Sequence, residues 1–109
     1  MKKRVVITGI GAVTPLGNDA FTTWENIKNG VSGIAPLTRV DSDQFNVKVA
    51  GEVKNFSPED FIDFKEVRRM ARFTHLAIAA SKMAVNDAGI QIGEHVDPER
   101  VGVWIGSGI

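Results

Sequence analysis

Four cations in the middle of the chain have the spacing of a binding surface. They are Lys65, Arg68, Arg69 and Arg72. This spacing is i, i+3, i+4 and i+7, so a continuous helix would carry all four side chains on one stripe. Glu66 is the only acid within the segment. The stripe is either a solvated helix face, partly neutralised by nearby acids, or a docking site for an acidic partner.

The residue types needed for nucleophilic or metal chemistry are scattered along the chain. There are two histidines and no cysteine. Neither His75 nor His95 has a carboxylate or a second histidine at metal-ligand or catalytic-triad spacing, so we predict structural roles for both. Ser107 lies directly between glycines, whereas a nucleophile elbow needs glycines two positions away on either side. The sequence therefore predicts no catalytic residue, no metal site and no cofactor in this chain.

The glycines near the N-terminus raise the question of a phosphate site. Residues 5–7 are consecutive and β-branched, which is typical of a central strand covered on both faces, and Gly9-Ile10-Gly11 follows. A dinucleotide fingerprint would need a glycine at Thr14 and a helix opening there, but Pro15 comes next. The first helix cap is at position 18 or 19, too late for these glycines. The mismatches favour a glycine-rich strand exit over nucleotide binding.

Composition excludes several classes of partner. Thirteen Lys and Arg balance thirteen Asp and Glu, so no overall field draws the chain to nucleic acid or to an anionic membrane. The lack of cysteine excludes a disulfide scaffold and fits a reducing compartment. Glycine and proline interrupt the apolar run after the basic N-terminus, which argues against a secretory signal. No stretch approaches the roughly 18 apolar residues of a membrane span, so we predict a cytoplasmic protein.

Periodicity and breakers predict an α/β chain. In order, we predict a central strand at 5–7, a helix from 18 or 19 to 29, an irregular connection over 31–46, a half-exposed strand over 47–53, a short helix starting at 57–60, a basic helix over 64–73, a buried helix over 73–88 and a second buried strand over 101–109. Strand, helices and strand make a crossover unit of an α/β sheet. Nothing covers the last strand, so we predict the N-terminal part of a longer protein, with no domain boundary inside residues 1–109.

Several stretches, in this order, resemble the N-terminal region of the β-ketoacyl-acyl-carrier-protein synthases, the elongating condensing enzymes of fatty-acid synthesis. The stretches are RVVITGIGAVTPLGN at 4–18, WE at 24–25, GVSGI at 30–34, TRVD at 38–41, KE and RRM within 65–70, RFT at 72–74 and RVGVWIGSGI at 100–109. Each is weak alone. The isoleucine at position 109 is similar to the type II pattern of this family.

The resemblance implies a fold and a reaction. The fold would be the N-terminal part of a thiolase-like layered α/β fold, a mixed sheet covered by helices, which is incomplete in this chain. The family forms homodimers and catalyses decarboxylative Claisen condensation of an acyl chain with malonyl carrier protein. A cysteine thiolate at a helix N-terminus takes up the acyl group, and two histidines assist. These residues lie beyond Ile109 in the family, so the 109-residue chain alone is predicted to be inactive.

Two sets of residues carry over from the family. Lys65, Arg68 and Arg69 match positions that meet the acidic acyl carrier protein, and Ile109 matches a residue that lines the acyl pocket. The sequence departs from the usual pattern at Ala71, where aspartate is common, and at Leu76, where tyrosine is usual. Two other interpretations remain: a noncatalytic chain-length or scaffold subunit of the same fold, and a nucleotide-binding α/β module.

Overall fold

The computed structural model describes residues 1–108, which form two compact units. We call them the helical unit, made of Met1–Gly11 with residues 58–108, and the hairpin unit, Ala12–Ser57. The helical unit contains helices α2 (Phe64–Val67) and α3 (Arg72–Ala88), and the hairpin unit contains helix α1 (Ala20–Lys28) with strands β1 (Ile34–Pro36) and β2 (Val49–Gly51). Single 3-10 turns occur at Ser42–Gln44, Pro58–Asp60 and Pro98–Arg100.

Helix α1 begins and ends where the sequence predicts. The Asp19 carboxylate caps its N-terminus by accepting the Thr22 backbone N–H at 2.7 Å and the Thr22 hydroxyl at 2.9 Å. The backbone bond, followed by the hydroxyl bond, holds the pKa of Asp19 below its ordinary value of 3.8. Asn29 is the C-cap, and Gly30 follows with a φ of 68°, a left-handed conformation that glycine adopts without strain.

The two strands of the hairpin unit pair antiparallel, with Ala35 opposite Ala50. The prediction of a short strand near residues 47–53 is confirmed by β2, whereas the irregular connection predicted over 31–46 is wrong because it contains β1. The alternation of residues 47–53 also predicts a covered face with Val47, Val49 and Val53 and an exposed face with Lys48 and Glu52, and this is wrong for Val47, Val49 and Glu52. Val47 and Val49 are exposed, while Glu52 is partly buried.

Hydrogen bonds within the hairpin unit explain why the polar Glu52 is less exposed than Val47 and Val49. Its carboxylate accepts the hydroxyl of Thr38 at 2.8 Å and the backbone N–H groups of Thr38 and Arg39. The Thr38 hydroxyl bond is the main reason that the pKa of Glu52 lies below its ordinary value. A carboxylate with several donors is held close to the chain, so Glu52, which directly follows β2, is only partly exposed.

The helical unit is organised by α3, which begins with Ala71 as N-cap and ends at Gly89, where φ is 64°. Both ends agree with the predicted helix to within two residues. Its buried side chains are His75 and Ala79, and the nearby Ile62 is buried as well. Other α3 residues, such as Phe73, are exposed within residues 1–108, so the prediction of a helix buried in a larger body stays a prediction.

The two predicted buried strands of the helical unit are wrong for the described structure. Neither residues 5–7 nor residues 101–108 form a strand, and Val5, Ile7 and Val103 are more than four-fifths exposed. Consecutive β-branched residues favour a strand only when neighbouring strands supply the ladder hydrogen bonds. Within residues 1–108 these two runs pair with no strand.

Candidate functional site

The cations of the candidate site lie in the short helix α2 and in the tight turn that follows it. Asp63 is the N-cap of helix α2, and its carboxylate accepts the Lys65 backbone N–H at 2.9 Å. It has four residues and stops at Val67. The chain then turns through hydrogen bonds from Arg69 N–H to the Glu66 carbonyl at 2.9 Å and from Met70 N–H to the Val67 carbonyl at 3.3 Å. We call residues 65–69 the basic turn.

The helix predicted over 64–73 is therefore wrong, and with it the four-cation stripe. The bonds that close the turn join residues three apart, and Ala71 is extended with φ −76° and ψ 158°. An i, i+3, i+4, i+7 stripe requires uninterrupted α-helical geometry. Lys65, Arg68 and Arg69 remain together in the basic turn and are exposed, whereas Arg72 opens α3 and is partly buried.

Two local contacts orient the arginines of the basic turn. The Arg69 guanidinium lies 3.2 Å from the Glu66 carboxylate, and the Arg68 guanidinium lies over the Phe64 ring, 4.6 Å from its centroid. The Arg69 pair is largely exposed, so it contributes only about 0.2–1 kcal/mol and can exchange for another carboxylate. The Arg68 contact leaves the charge accessible while it restricts the side chain. The turn thus presents partly ordered cations to solvent.

The buried His75 connects α3 to this turn. Its Nε2 lies 2.9 Å from the carbonyl oxygen of Val67, the last residue of α2. The residue is 8% exposed, which agrees with its predicted structural role. His95 lies in the loop after α3, where its Nδ1 accepts the Gln91 backbone N–H at 3.2 Å. Among residues 1–108 no group of three or more His, Cys, Asp or Glu side chains is placed to hold a metal ion.

The N-terminal glycines pack against a helix. A Cβ on Gly11 would lie 2.0 Å from the Ala80 carbonyl oxygen, and a Cβ on Gly9 would lie 2.2 Å from that of Ala84. Ile10, between them, donates its N–H to the Asp87 carboxylate at 2.9 Å. Neither glycine has a positive φ. These contacts assign both glycines to close packing on α3, which sequence reasoning did not anticipate.

An apolar groove lies on another side of α3. It has a volume of about 490 Å³ and is lined by Phe73, Thr74, Ala77, Ile78, Ser81, Lys82, Val103, Ile105 and Ser107. The Ser107 hydroxyl donates to the adjacent Gly108 carbonyl at 3.1 Å. Ile109, predicted to line an acyl pocket, lies outside the described residues.

The structure shows a role for Ala71 that the sequence did not predict. Ala71 is the N-cap of α3 and makes no side-chain cap hydrogen bond. A capping residue normally accepts one of the free amides of the first helical turn, which alanine cannot do. The departure from aspartate at this position leaves the α3 end of the basic turn without that bond.

None of the helices described over residues 1–108 is long and apolar enough to cross a membrane.

The chain is similar to known proteins along nearly its whole length. The 3-oxoacyl-[acyl-carrier-protein] synthase 2 of Staphylococcus aureus strain COL is 58% identical over 107 residues, 98% of this chain and 26% of that protein. The protein of the same name from Synechocystis sp. strain ATCC 27184 is 46% identical over 108 residues, 99% of this chain and 26% of that protein. This chain therefore spans about a quarter of the length of these curated relatives.

A solved structure gives the same result at the level of the fold. The ishigamide ketosynthase/chain length factor matches 84% of this chain and 23% of that chain, with a TM-score of 0.76 at 35% identity. This match confirms the prediction of part of a thiolase-like α/β fold. The β-ketoacyl synthase N-terminal domain family matches residues 2–109, which is nearly the whole sequence. The chain belongs to the β-ketoacyl synthase N-terminal domain family.

Proposed function

We propose that this chain is the N-terminal part of a 3-oxoacyl-acyl-carrier-protein synthase. The whole enzyme would elongate fatty acyl chains by decarboxylative Claisen condensation with malonyl carrier protein. The observation that carries the proposal is the 58% identity to a synthase of that name across 98% of this chain. Identity at this level along nearly the whole sequence supports a shared reaction as well as a shared fold.

The role proposed for residues 65–69 is docking of the acyl carrier protein. Three exposed cations, Lys65, Arg68 and Arg69, lie in one short turn, and Glu66 neutralises them in part. An acidic carrier would exchange its own carboxylates for the Glu66 contact. Exposed ion pairs contribute about 0.2–1 kcal/mol each, so a few of them suit a partner that must bind, deliver its cargo and leave.

We also propose that Ile109 lines the acyl pocket. The apolar groove on α3 includes Ser107, two residues earlier in the chain, which supports placing an acyl-lining residue in this part of the sequence. We further propose a cytoplasmic homodimer, as the family resemblance implies. The nucleophilic cysteine and the two assisting histidines would lie in the part of the relatives that this chain does not span.

An activity assay on the full-length protein tests the reaction. We expect 3-oxoacyl carrier protein to form from acyl and malonyl carrier protein, and replacing the predicted nucleophilic cysteine by alanine should abolish it. The second candidate is a noncatalytic chain-length subunit, favoured by the likeness to a ketosynthase/chain length factor. A full-length sequence without that cysteine, and a protein that is active only with a catalytic partner subunit, would select this candidate.

Charge reversal tests the docking surface in the same protein. The double variant Arg68→Glu and Arg69→Glu should weaken carrier binding by about tenfold or more at low salt, because it removes two attractions and adds two repulsions. The difference should shrink as salt is added. Lys2→Glu with Lys3→Glu is the matched control, since it makes the same change in net charge at exposed positions in another part of the sequence. Equal affinities for the two double variants would refute docking at the basic turn.

A further inference from the structure

The buried imidazole of His75 in α3 reaches the carbonyl of Val67 in the basic turn. Its Nε2 is 2.9 Å from the Val67 carbonyl oxygen, and the residue is 8% exposed. A carbonyl oxygen can only accept, so Nε2 carries the proton in this contact. We propose that His75 is a positioning residue that fixes the basic turn for carrier docking. This inference rests on the docking role proposed above.

The position of the accepting carbonyl explains how a buried ring could orient exposed arginines. Val67 ends α2, and its carbonyl belongs to the peptide group that leads directly into Arg68. The plane of that peptide sets the direction in which the Arg68 side chain leaves the backbone. The same carbonyl accepts the Met70 N–H that closes the turn, at the longer distance of 3.3 Å. His75 thus supports the turn at the point where its hydrogen bond is long.

The N-terminal end of α3, which follows the basic turn, lacks a side-chain cap. Ala71, the N-cap of α3, makes no side-chain hydrogen bond to the first helical amides. The Arg69 to Glu66 ion pair is exposed and can be displaced by a partner's carboxylate. The bond from His75 is partly buried, so it is less exposed to exchange than the surface pairs are. A fixed turn lowers the conformational entropy that carrier binding must overcome.

Two variants of His75 in the full-length protein separate hydrogen bonding from packing. His75→Leu fills similar space without a donor, and His75→Gln keeps an N–H that can reach the Val67 carbonyl. We expect carrier affinity to fall about threefold to tenfold in His75→Leu, the equivalent of one hydrogen bond, and to stay near the wild-type value in His75→Gln. Ala79→Gly, at another buried position of α3, is the control for general destabilisation.

Trypsin gives a readout that does not depend on the carrier protein. It cleaves after Arg68 and Arg69, so loss of the His75 bond should speed nicking at these two bonds several-fold in His75→Leu but not in Ala79→Gly. Unchanged affinity and nicking in a folded His75→Leu protein, or failure of His75→Gln to restore them, would overturn the proposal. If charge reversal at the arginines leaves affinity unchanged, the docking role fails, whereas the nicking result still decides whether His75 positions the turn.

A spectroscopic measurement covers the case in which His75→Leu does not fold. The ¹⁵N chemical shifts of the His75 ring in the unmodified protein should identify a protonated Nε2. A deprotonated Nε2 could not donate to the Val67 carbonyl and would refute the inference without any variant.

Discussion

Replacing Gly11 by alanine should be among the most damaging single-methyl changes in the helical unit. The new Cβ would lie 2.0 Å from the Ala80 carbonyl oxygen and 2.7 Å from the Ala84 amide nitrogen, distances that real Cβ atoms essentially never show. Both atoms belong to the backbone of α3, so no side-chain rotation can relieve the overlap. The segment must lift away from the helix by about 1 Å, since an ordinary carbon–oxygen contact needs about 3.3 Å or more.

The cost can be worked out from what that displacement breaks. Overpacking of this kind costs about 1–3 kcal/mol, and loss of the Ile10 N–H to Asp87 hydrogen bond adds about 1 kcal/mol. We therefore expect Gly11→Ala to lower the free energy of unfolding by about 2–4 kcal/mol. Gly89→Ala is the matched control at the end of the same helix. Its Cβ would meet nothing within 4 Å, and only its φ of 64° makes alanine unfavourable, by about 1–2 kcal/mol.

Urea unfolding of the full-length protein, followed by circular dichroism at fixed protein concentration, measures both changes. We expect the midpoint to fall further for Gly11→Ala than for Gly89→Ala. The double variant Gly9→Ala with Gly11→Ala should cost less than the sum of its parts, because the segment has already lifted away. A Gly11→Ala protein as stable as the wild type, or one less affected than Gly89→Ala, would show that the segment does not pack on α3 as described.

Two further predictions concern helix caps. Asp19→Ala should destabilise the protein by about 0.5–2 kcal/mol at pH 7, and Asp19→Asn much less, because asparagine is a comparable cap. Since the pKa of Asp19 is lowered in the folded state, its contribution is complete above the ordinary value of 3.8 and is lost as pH falls through the folded value. The urea midpoints of wild type and Asp19→Ala should therefore converge below pH 3.8, and a constant gap would contradict the role of the ionised carboxylate. Ala71→Asn should raise the free energy of unfolding by about 0.5–2 kcal/mol by supplying the missing cap of α3, and an unchanged melting temperature would argue against that cap geometry.

Helix ends in this chain could be predicted because the rules that set them are local. Asp19 accepts an amide three residues later, and Gly30 and Gly89 adopt the left-handed conformation that follows a helix. Each of these features depends on a few neighbouring residues. The sequence of a single segment therefore contains what is needed to place α1 and the C-terminal end of α3.

The break in the basic segment could not be predicted in the same way. Met70 and Ala71 are good helix formers, so intrinsic propensity favours a continuous helix through residues 64–73. The structure instead places Ala71 in an extended conformation and buries His75 against the Val67 carbonyl. A contact of this kind joins two elements and has no signature in the spacing of cations. The arrangement of the cations on one continuous helix is therefore wrong, whereas their role in docking stays a prediction.

Composition alone was also not enough to predict the runs at 5–7 and 101–108. Their composition is typical of strands, yet neither forms a strand here. A strand exists only through hydrogen bonds to neighbours, and this chain spans about a quarter of the length of its curated relatives. The run at 5–7 leads into glycines that touch Ala80 and Ala84, and residues 103–107 line a groove with Ala77 and neighbouring residues of α3. Helix α3 thus meets both segments on adjacent stripes.

The contacts of α3 with these neighbouring segments account for its composition. Small residues at 80, 84 and 88 admit the backbone of the glycine segment, and the stripe containing 77 and 81 lines the apolar groove. His75, nearer the N-terminal end of the helix, turns toward the basic turn. A helix that serves three neighbours needs apolar or small residues on most of its surface, although few of them are buried within residues 1–108. The effect of a change in α3 should therefore depend on which stripe carries it, with the His75 end controlling the basic turn and the alanine stripe controlling the N-terminal segment.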